Sequence, residues 1–323
     1  MKQVVFGNTG AKVSEMCLGT MMFGKRTEEA EAGRILSYAL DHGVTFLDTA
    51  AMYGEGVCEE MLGRLLAGRR NKFFLATKVH RGVGYADISG SLDESLRRLR
   101  TECVDLYMIH WPRVGMNPLE IMRALNDVVK GGKARFVGCC NYPAWLLEHH
   151  NAIARANGWA LLACNQIPYN PVERGVELEV LPQAFATGVA ITVYRPLLEG
   201  ILAGKYDPDK PMPSDSRAEW DDRVQKWMKK YDAGIRFLLA LAREKRVSPS
   251  AVAVAWLRGS PAVTCPIIGA SRFGQIEEGV KAFEFTLAAA EREGISNAFD
   301  ADLREDAGGK FPELRRALDI VAR

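Results

Sequence analysis

Four side chains in this 323-residue sequence, Asp48, Tyr53, Lys78 and His110, form a set that can move a proton. A free tyrosine titrates near pH ~10, too high for an efficient acid at neutrality. A lysine ammonium beside it favours the phenolate and lowers that value. Asp48 would keep the lysine charged and oriented, and His110 could hydrogen-bond a substrate oxygen. Such a set suits protonation of a carbonyl oxygen as hydride reaches its carbon. The four residues lie far apart in the chain, so a fold must bring them together.

The elements that could do so are short apolar runs separated by helical patterns. The predicted strands are Glu15–Leu18, Thr45–Leu47, Phe73–Thr77, Val104–Ile109, Phe136–Cys139, Ala163–Asn165, Ala190–Val193 and Thr264–Ile268. They lack clean alternation, as expected of parallel strands buried on both faces. Helices fill the gaps. Thr27 is expected to cap one, with Glu28 and Glu29 in its first turn and Gly43 closing it. Ser91–Arg100 is amphipathic, Pro118 can start a helix that Gly131 and Gly132 end, Pro143–Asn157 stops at Gly158, and Ser248-Pro249 opens another that runs to Gly259. Alternating strands and helices predict an α/β fold with right-handed crossovers, and eight units favour a (β/α)8 TIM barrel over an open sheet. No linker interrupts the chain, so residues 1–323 are expected to form a single barrel domain. The opening Val4–Val13 reads as an N-terminal β-hairpin that could plug the barrel's bottom. Gly204–Lys230, with Trp220 and Trp227, is an extended loop on the C-terminal side, either a mobile surface loop or a lid. Pro312–Ala322 is predicted helical.

Polar and aromatic residues collect at the C-terminal ends of these strands: Asp48 with Tyr53, Lys78, His110 with Trp111, Asn141, Gln166 and Tyr194. In a closed barrel those ends share one mouth. Here the sequence resembles the aldo-keto reductase superfamily, from about Phe6 to about Glu278. The matching stretches are LGTMMFG (18–24), FLDTAAMYGEG (46–56), FFLATKV (73–79), SLRRLRTECVDLYMIHWP (95–112), GKARFVGCCNY (132–142), NQIPYN (165–170), VYRPLLEGILAGKY (193–206) and PIIGASRFGQIEE (266–278).

Trp111, next to His110, could wall a substrate pocket or belong to the core. The resemblance implies Tyr53 as general acid, tuned by Asp48 and Lys78, with His110 orienting the substrate. It implies NADPH (NADP+) rather than NADH, lying across the mouth without a Rossmann domain. No strand precedes a G-x-G-x-x-G fingerprint, since Gly82-Val83-Gly84 runs on into Tyr85, Ala86 and Asp87. By the same resemblance Gly19, Thr20 and Met21 border the cofactor, Asn141 and Gln166 hold its carboxamide, and Tyr194 stacks on its ring. The backbone around Leu197, Glu199, Gly200 and Leu202 holds the pyrophosphate, and Gly269, Ser271, Arg272 and Gln275 line the 2′-phosphate end. Three positions depart from the family pattern. Cys140 replaces a serine, and Gly279 replaces an asparagine expected on the adenine. Arg195 follows Tyr194 where a small polar residue is usual; it could bind a cofactor phosphate, reach an anionic substrate, or pack as a structural arginine.

The bulk properties exclude other classes. With 48% hydrophobic and 25% charged residues and a net charge of +2, nothing argues for nucleic acid or an anionic membrane surface. The short basic clusters Arg97, Arg98, Arg100 and Lys229, Lys230 read as solvated helix faces. The start has no apolar signal core and no run reaches the ~18 apolar residues of a membrane helix, so a cytoplasmic protein is expected. Seven cysteines without Cys-x-x-Cys read as reduced core thiols, and His149-His150 lacks a third ligand at metal spacing. The partner expected is a small-molecule carbonyl compound; oligomeric state stays open. Two other readings remain: a regulatory NADP(H)-binding module like potassium-channel β subunits, against which the intact tetrad argues, and a barrel isomerase or aldolase.

Overall fold

The computed structural model describes residues 1–307 apart from His80, Asp215 and Trp220. The chain opens with an antiparallel hairpin, β1 (Gln3–Val5) and β2 (Lys12–Ser14). Then β3 (Cys17–Gly19), α1 (Glu29–Asp41), β4 (Phe46–Asp48), α2 (Val57–Leu65), β5 (Phe74–Lys78), α3 (Tyr85–Leu99), β6 (Val104–Ile109), α4 (Pro118–Lys130), β7 (Ala134–Cys140), α5 (Ala144–Asn157), β8 (Leu162–Pro168), α6 (Val180–Thr187) and β9 (Ala190–Tyr194) alternate. The chain continues through α7 (Asp222–Lys230), α8 (Asp232–Lys245), α9 (Pro249–Arg258), β10 (Cys265–Gly269), α10 (Phe273–Ala282) and α11 (Ala289–Ala307). β3 to β10 form a closed parallel barrel, with β10 returning to pair with β3. All eight predicted strands appear, most of them extended toward the C-terminal end, so that Asp48 and Lys78 are the last residues of β4 and β5.

Two apolar layers hold the barrel. The outer one packs helices against the strands, with Leu47, Leu75 and Ile109 facing Ile35, Leu62 and Leu125 among others. The inner one fills the barrel with Cys17, Phe46, Phe74, Leu106, Met108, Cys140, Cys164 and Cys265. The hairpin seals the bottom as expected. Fully buried Phe6 meets Phe46 edge-on at 5.7 Å between ring centroids, and Phe74 at 5.2 Å. Six of the seven cysteines are buried and Cys103 is half-buried; none forms a disulfide.

Local signals set most helix ends. Asn117 accepts from the backbone N–H groups of Leu119 and Glu120 ahead of Pro118, Ser248 caps α9 in the same way, and Gly158 ends α5 in the left-handed region. Thr27 does not cap α1. Its hydroxyl instead donates to the Ser271 carbonyl at 3.1 Å, and Glu28 occupies the cap position. α3 starts six residues before Ser91, because the Asp87 carboxylate accepts the Gly84 N–H and fixes an earlier turn. Part of 204–230 is ordered as α7, with Val224 and Met228 buried; Trp220 lies outside the described residues. The predicted helix 312–322 also lies outside them, whereas α11, which local pattern did not indicate, packs Phe299 against Gly234 of α8. No helix among the described residues is long and apolar enough to cross a membrane.

The aromatic floor makes a prediction. Phe6→Ala should cost about 3–5 kcal/mol, the range for deleting a buried phenylalanine, measured by urea unfolding followed by far-UV circular dichroism. A loss under about 1 kcal/mol would mean that the hairpin contributes little to closing the barrel.

Candidate active site

The parallel register aligns the strand ends. Asp48 at the end of β4 lies beside Ala76 of β5, and Lys78, two residues on, lies beside Met108 of β6. The Lys78 ammonium is fully buried and donates to three kinds of acceptor, matching its three N–H bonds. It lies 2.8 Å from each Asp48 carboxylate oxygen, 2.8 Å from the Thr49 carbonyl and 3.4 Å from the Tyr53 hydroxyl. Asp48 also accepts from Gln166 Nε2 at 2.8 Å, and its own carbonyl accepts the Thr20 hydroxyl at 2.9 Å.

Tyr53 reaches the ammonium because the chain turns sharply before α2. Gly54, Glu55 and Gly56 all take positive φ, and Gly56, at φ 98°, has no room for a side chain because its Cβ would meet Arg98 Cδ at 2.8 Å. His110 follows directly on β6, its ring 6.1 Å from that of Tyr53 and nearly perpendicular. Trp111 lies nearly parallel to His110 at 6.3 Å and is half exposed. A small cleft of about 60 Å³ opens beside them, lined by Met52, Val79, Gly82, Val83, His110, Trp111 and Arg113.

Burial raises the Tyr53 phenol above its ordinary value, and Lys78 offsets only part of that rise. The net direction is opposite to the lowering expected from the lysine alone: removing the phenolate from water costs more than the nearby ammonium returns. Burial by itself would lower Lys78, but attraction to Asp48 and Tyr53 outweighs it and holds the ammonium charged.

The sequence profile of the Aldo/keto reductase family matches residues 15–298. The chain belongs to the aldo/keto reductase family. It is 32% identical to the uncharacterized oxidoreductase YrpG of Bacillus subtilis, over 97% of this chain and 99% of that protein. It is 31% identical to the aldo-keto reductase yakc of Schizosaccharomyces pombe, whose name carries NADP(+), over 92% of this chain and 90% of that one. A probable voltage-gated potassium channel subunit beta of Arabidopsis thaliana is also 31% identical, over 86% and 90%. Membership of this family supports an oxidoreductase.

In this aldo/keto reductase the remaining predicted residues divide into those that face the mouth and those that brace it. Asn141 sits at φ 61°, where its Oδ1 accepts the Tyr194 hydroxyl at 2.7 Å and its Nδ2 donates to the His110 carbonyl at 3.3 Å. Burial raises Tyr194 to about 12, so it stays a hydrogen-bond donor at neutral pH. Thr20 is buried and tied to Asp48, whereas Met21 is half exposed at the rim. Gly19 ends β3 level with Gly269 of β10, and a Cβ on Gly269 would meet nothing within 4 Å. After β9 the turn folds on itself: the N–H groups of Gly200 and Leu202 both donate to the Leu197 carbonyl, so they brace the loop rather than project from it. Arg195 forms ion pairs with Glu173 at 3.1 Å and Glu199 at 3.3 Å and lies over the Trp227 ring, which favours the packed structural role among its three readings. Gln275 holds the entry to α10 by accepting the Ser271 N–H at 2.8 Å and the Ser271 hydroxyl at 3.0 Å. Arg272 beside it is exposed. Cys140 points into the barrel, its Sγ 3.9 Å from Met108 Sδ, away from any role like a serine hydroxyl at the mouth. Gly279 is buried where α10 crosses β10, with space for a Cβ only 3.1 Å from Ile268 Cγ2, so close packing accounts for the glycine there. His150, read from sequence only as part of a weak metal pair, is buried and bonded to the Leu146 carbonyl through Nδ1.

One supporting group has no local sequence signal. Glu59 on α2 is fully buried; it accepts the Thr77 hydroxyl at 2.6 Å and Arg98 Nε at 2.7 Å. Thr77 precedes Lys78 in β5, so this bridge fixes the helix that follows Tyr53 to the strand that ends in Lys78. Arg98 therefore is not part of a solvated face: only 10% of its side chain is exposed. The run Glu59-Glu60 looks like ordinary helix surface, and only the crossing of α2, α3 and β5 turns it inward. Glu59→Ala should destabilise the fold by about 3–5 kcal/mol, because it leaves the buried Arg98 with only the exposed Glu94 at 3.3 Å and removes the acceptor of the Thr77 hydroxyl. Urea unfolding measures this, and a loss under about 1 kcal/mol would show that water reaches the guanidinium.

Proposed function

We propose that this chain is an NADPH-dependent reductase that converts an aldehyde or ketone to an alcohol, with NADH the poorer donor. The observation that carries the reading is the buried Lys78 ammonium clamped between Asp48 and the Tyr53 hydroxyl. The bound nicotinamide would supply hydride. Tyr53 would donate its phenolic proton to the carbonyl oxygen as negative charge grows there, and His110 would orient that oxygen by a hydrogen bond. Lys78 would stabilise the phenolate left behind, with Asp48 and Gln166 keeping the ammonium in place. The residues at the mouth fit such a cofactor: Asn141 and Gln166 offer carboxamide-type partners, Tyr194 offers an aromatic face, and Ser271 and Arg272 stand at the opening of α10, where helix N–H groups favour a phosphate. Trp111 and His110 would border the substrate. Arg195, already shared by two carboxylates, would hold the turn containing Leu197, Gly200 and Leu202 rather than meet a phosphate itself.

Tyr53→Phe is expected to bind NADPH and to lose turnover of a generic aldehyde by ~10²-fold or more. The raised Tyr53 value carries a sign for pH. The acid form persists well above neutrality, so reduction should stay flat through about pH 6–9, whereas alcohol oxidation, which needs the phenolate as base, should rise with pH. Steady-state rates across that range test both. Near wild-type turnover in the variant would overturn the assignment. Saturable NADPH binding by wild type with no carbonyl-dependent oxidation would favour instead a regulatory module of the kind the plant relative's name describes.

Cofactor choice rests on Arg272, whose guanidinium makes no ion pair among the described residues. Two parallel donors suit a phosphate that NADH lacks. Arg272→Ala should weaken NADPH binding by about 1.5–3 kcal/mol while barely changing NADH binding. Fluorescence titration of both cofactors decides it, and equal losses would rule out a 2′-phosphate contact.

A further inference from the structure

The cleft lined by His110 and Trp111, which Met52 borders just before Tyr53 in the chain, has a chemistry of its own. Met52, Val79, Val83 and Trp111 give it apolar and aromatic walls, His110 is its polar inner group, and Arg113 stands in its lining. Among the described residues no carboxylate lines it. The other arginines around the mouth are already neutralised: Arg81 pairs with Glu55 at 3.2 Å, and Arg195 with Glu173 and Glu199. Asp48 is likewise taken by Lys78. Arg113 is exposed and makes no ion pair among the described residues. A cationic fork in the lining of a largely apolar cleft discriminates by charge, since a guanidinium offers a carboxylate two parallel donors. The volume, about 60 Å³, is far below the ~300 Å³ at which drug-sized sites begin. It suits a short chain or one edge of a single ring, not a fused ring system.

From this we infer that the preferred substrates are short-chain or single-ring carbonyl compounds bearing a carboxylate remote from the carbonyl, and that Arg113 is the residue that selects the charge. The inference rests on the reductase reading above, because it needs the reacting carbonyl at Tyr53 and His110. The carbonyl end would enter toward those two residues, the apolar body would lie along Val79, Val83 and Trp111, and the carboxylate would face Arg113.

The test uses two substrates of one shape, 4-carboxybenzaldehyde and its uncharged amide 4-formylbenzamide, with NADPH and the full-length protein. Wild type should favour the acid over the amide in kcat/KM by about tenfold, the lower end for hydrogen bonds to charged groups. That ratio should shrink as salt is added. In Arg113→Gln it should fall to near one, chiefly through KM for the acid, and in Arg113→Glu below one, whereas Arg113→Lys should retain part of it. Circular dichroism of each variant checks folding. A wild-type ratio near one, or a ratio unchanged in Arg113→Gln, overturns the inference and leaves the reductase reading standing. If wild type turns over neither aldehyde, nor any other carbonyl, the reductase reading fails and this inference fails with it.

Discussion

The mouth of this barrel is organised around one buried charge, the Lys78 ammonium. An isolated ammonium in such a place would give up its proton, because burial favours the neutral amine. Asp48 prevents that, and the carboxylate is held in turn by Gln166 from the far side of the barrel and by the Thr20 hydroxyl on its own backbone carbonyl. Buried ion pairs seldom add net stability, but losing one partner is costly. The strand ends are therefore interdependent. Thr20, directly after β3, joins Asp48 of β4, Lys78 of β5 and Gln166 of β8 in the polar cluster, and a shift in the register of any of these strands would leave a charge or a dipole unsatisfied. The position of the Tyr53 hydroxyl is set by the same cluster.

A second layer of polar contacts surrounds the first. The Glu59 bridge holds α2 to β5 from the outer side, and the Asn141 carboxamide joins the His110 backbone to Tyr194 across the mouth. On the far rim, Arg195 ties the end of β9 to α7 by lying over Trp227, with Arg223 also near that ring. The long connection after β9 is thus anchored where it passes the mouth. Its anchorage is apolar as well as ionic and aromatic, since Ile201, Leu202, Tyr206, Val224 and Met228 are all buried.

The barrel was legible because its signals are local and repeated. Apolar runs mark strands, proline and glycine mark helix ends, and polar residues gather where strands stop. Asp48, Tyr53, Lys78 and His110 stood out because each follows such a run. What local pattern could not convey is direction in three dimensions. Thr27 looks like a cap but is drawn to Ser271, which is distant in sequence. Arg98 looks solvated until the crossing of α2 and α3 covers it. The phenol of Tyr53 was expected to be acidified by its lysine, yet desolvation, which depends on everything packed around the ring, acts the other way and is larger. The resemblance assigns Gly200 and Leu202 to a pyrophosphate turn, but their N–H groups are committed to the Leu197 carbonyl in this conformation.

The thiols inside the barrel carry a separate consequence. Cys17, Cys140, Cys164 and Cys265 line its interior, and burial raises all four above the ordinary thiol value. The thiolate is the nucleophile that attacks peroxide and electrophiles. While the barrel is closed these sulfurs are therefore nearly inert, even though they lie inside the barrel whose mouth carries the Lys78 cluster. Their vulnerability belongs to the nascent and transiently opened chain, so resistance to chemical damage here is a property of closure kinetics and not of the cysteines themselves.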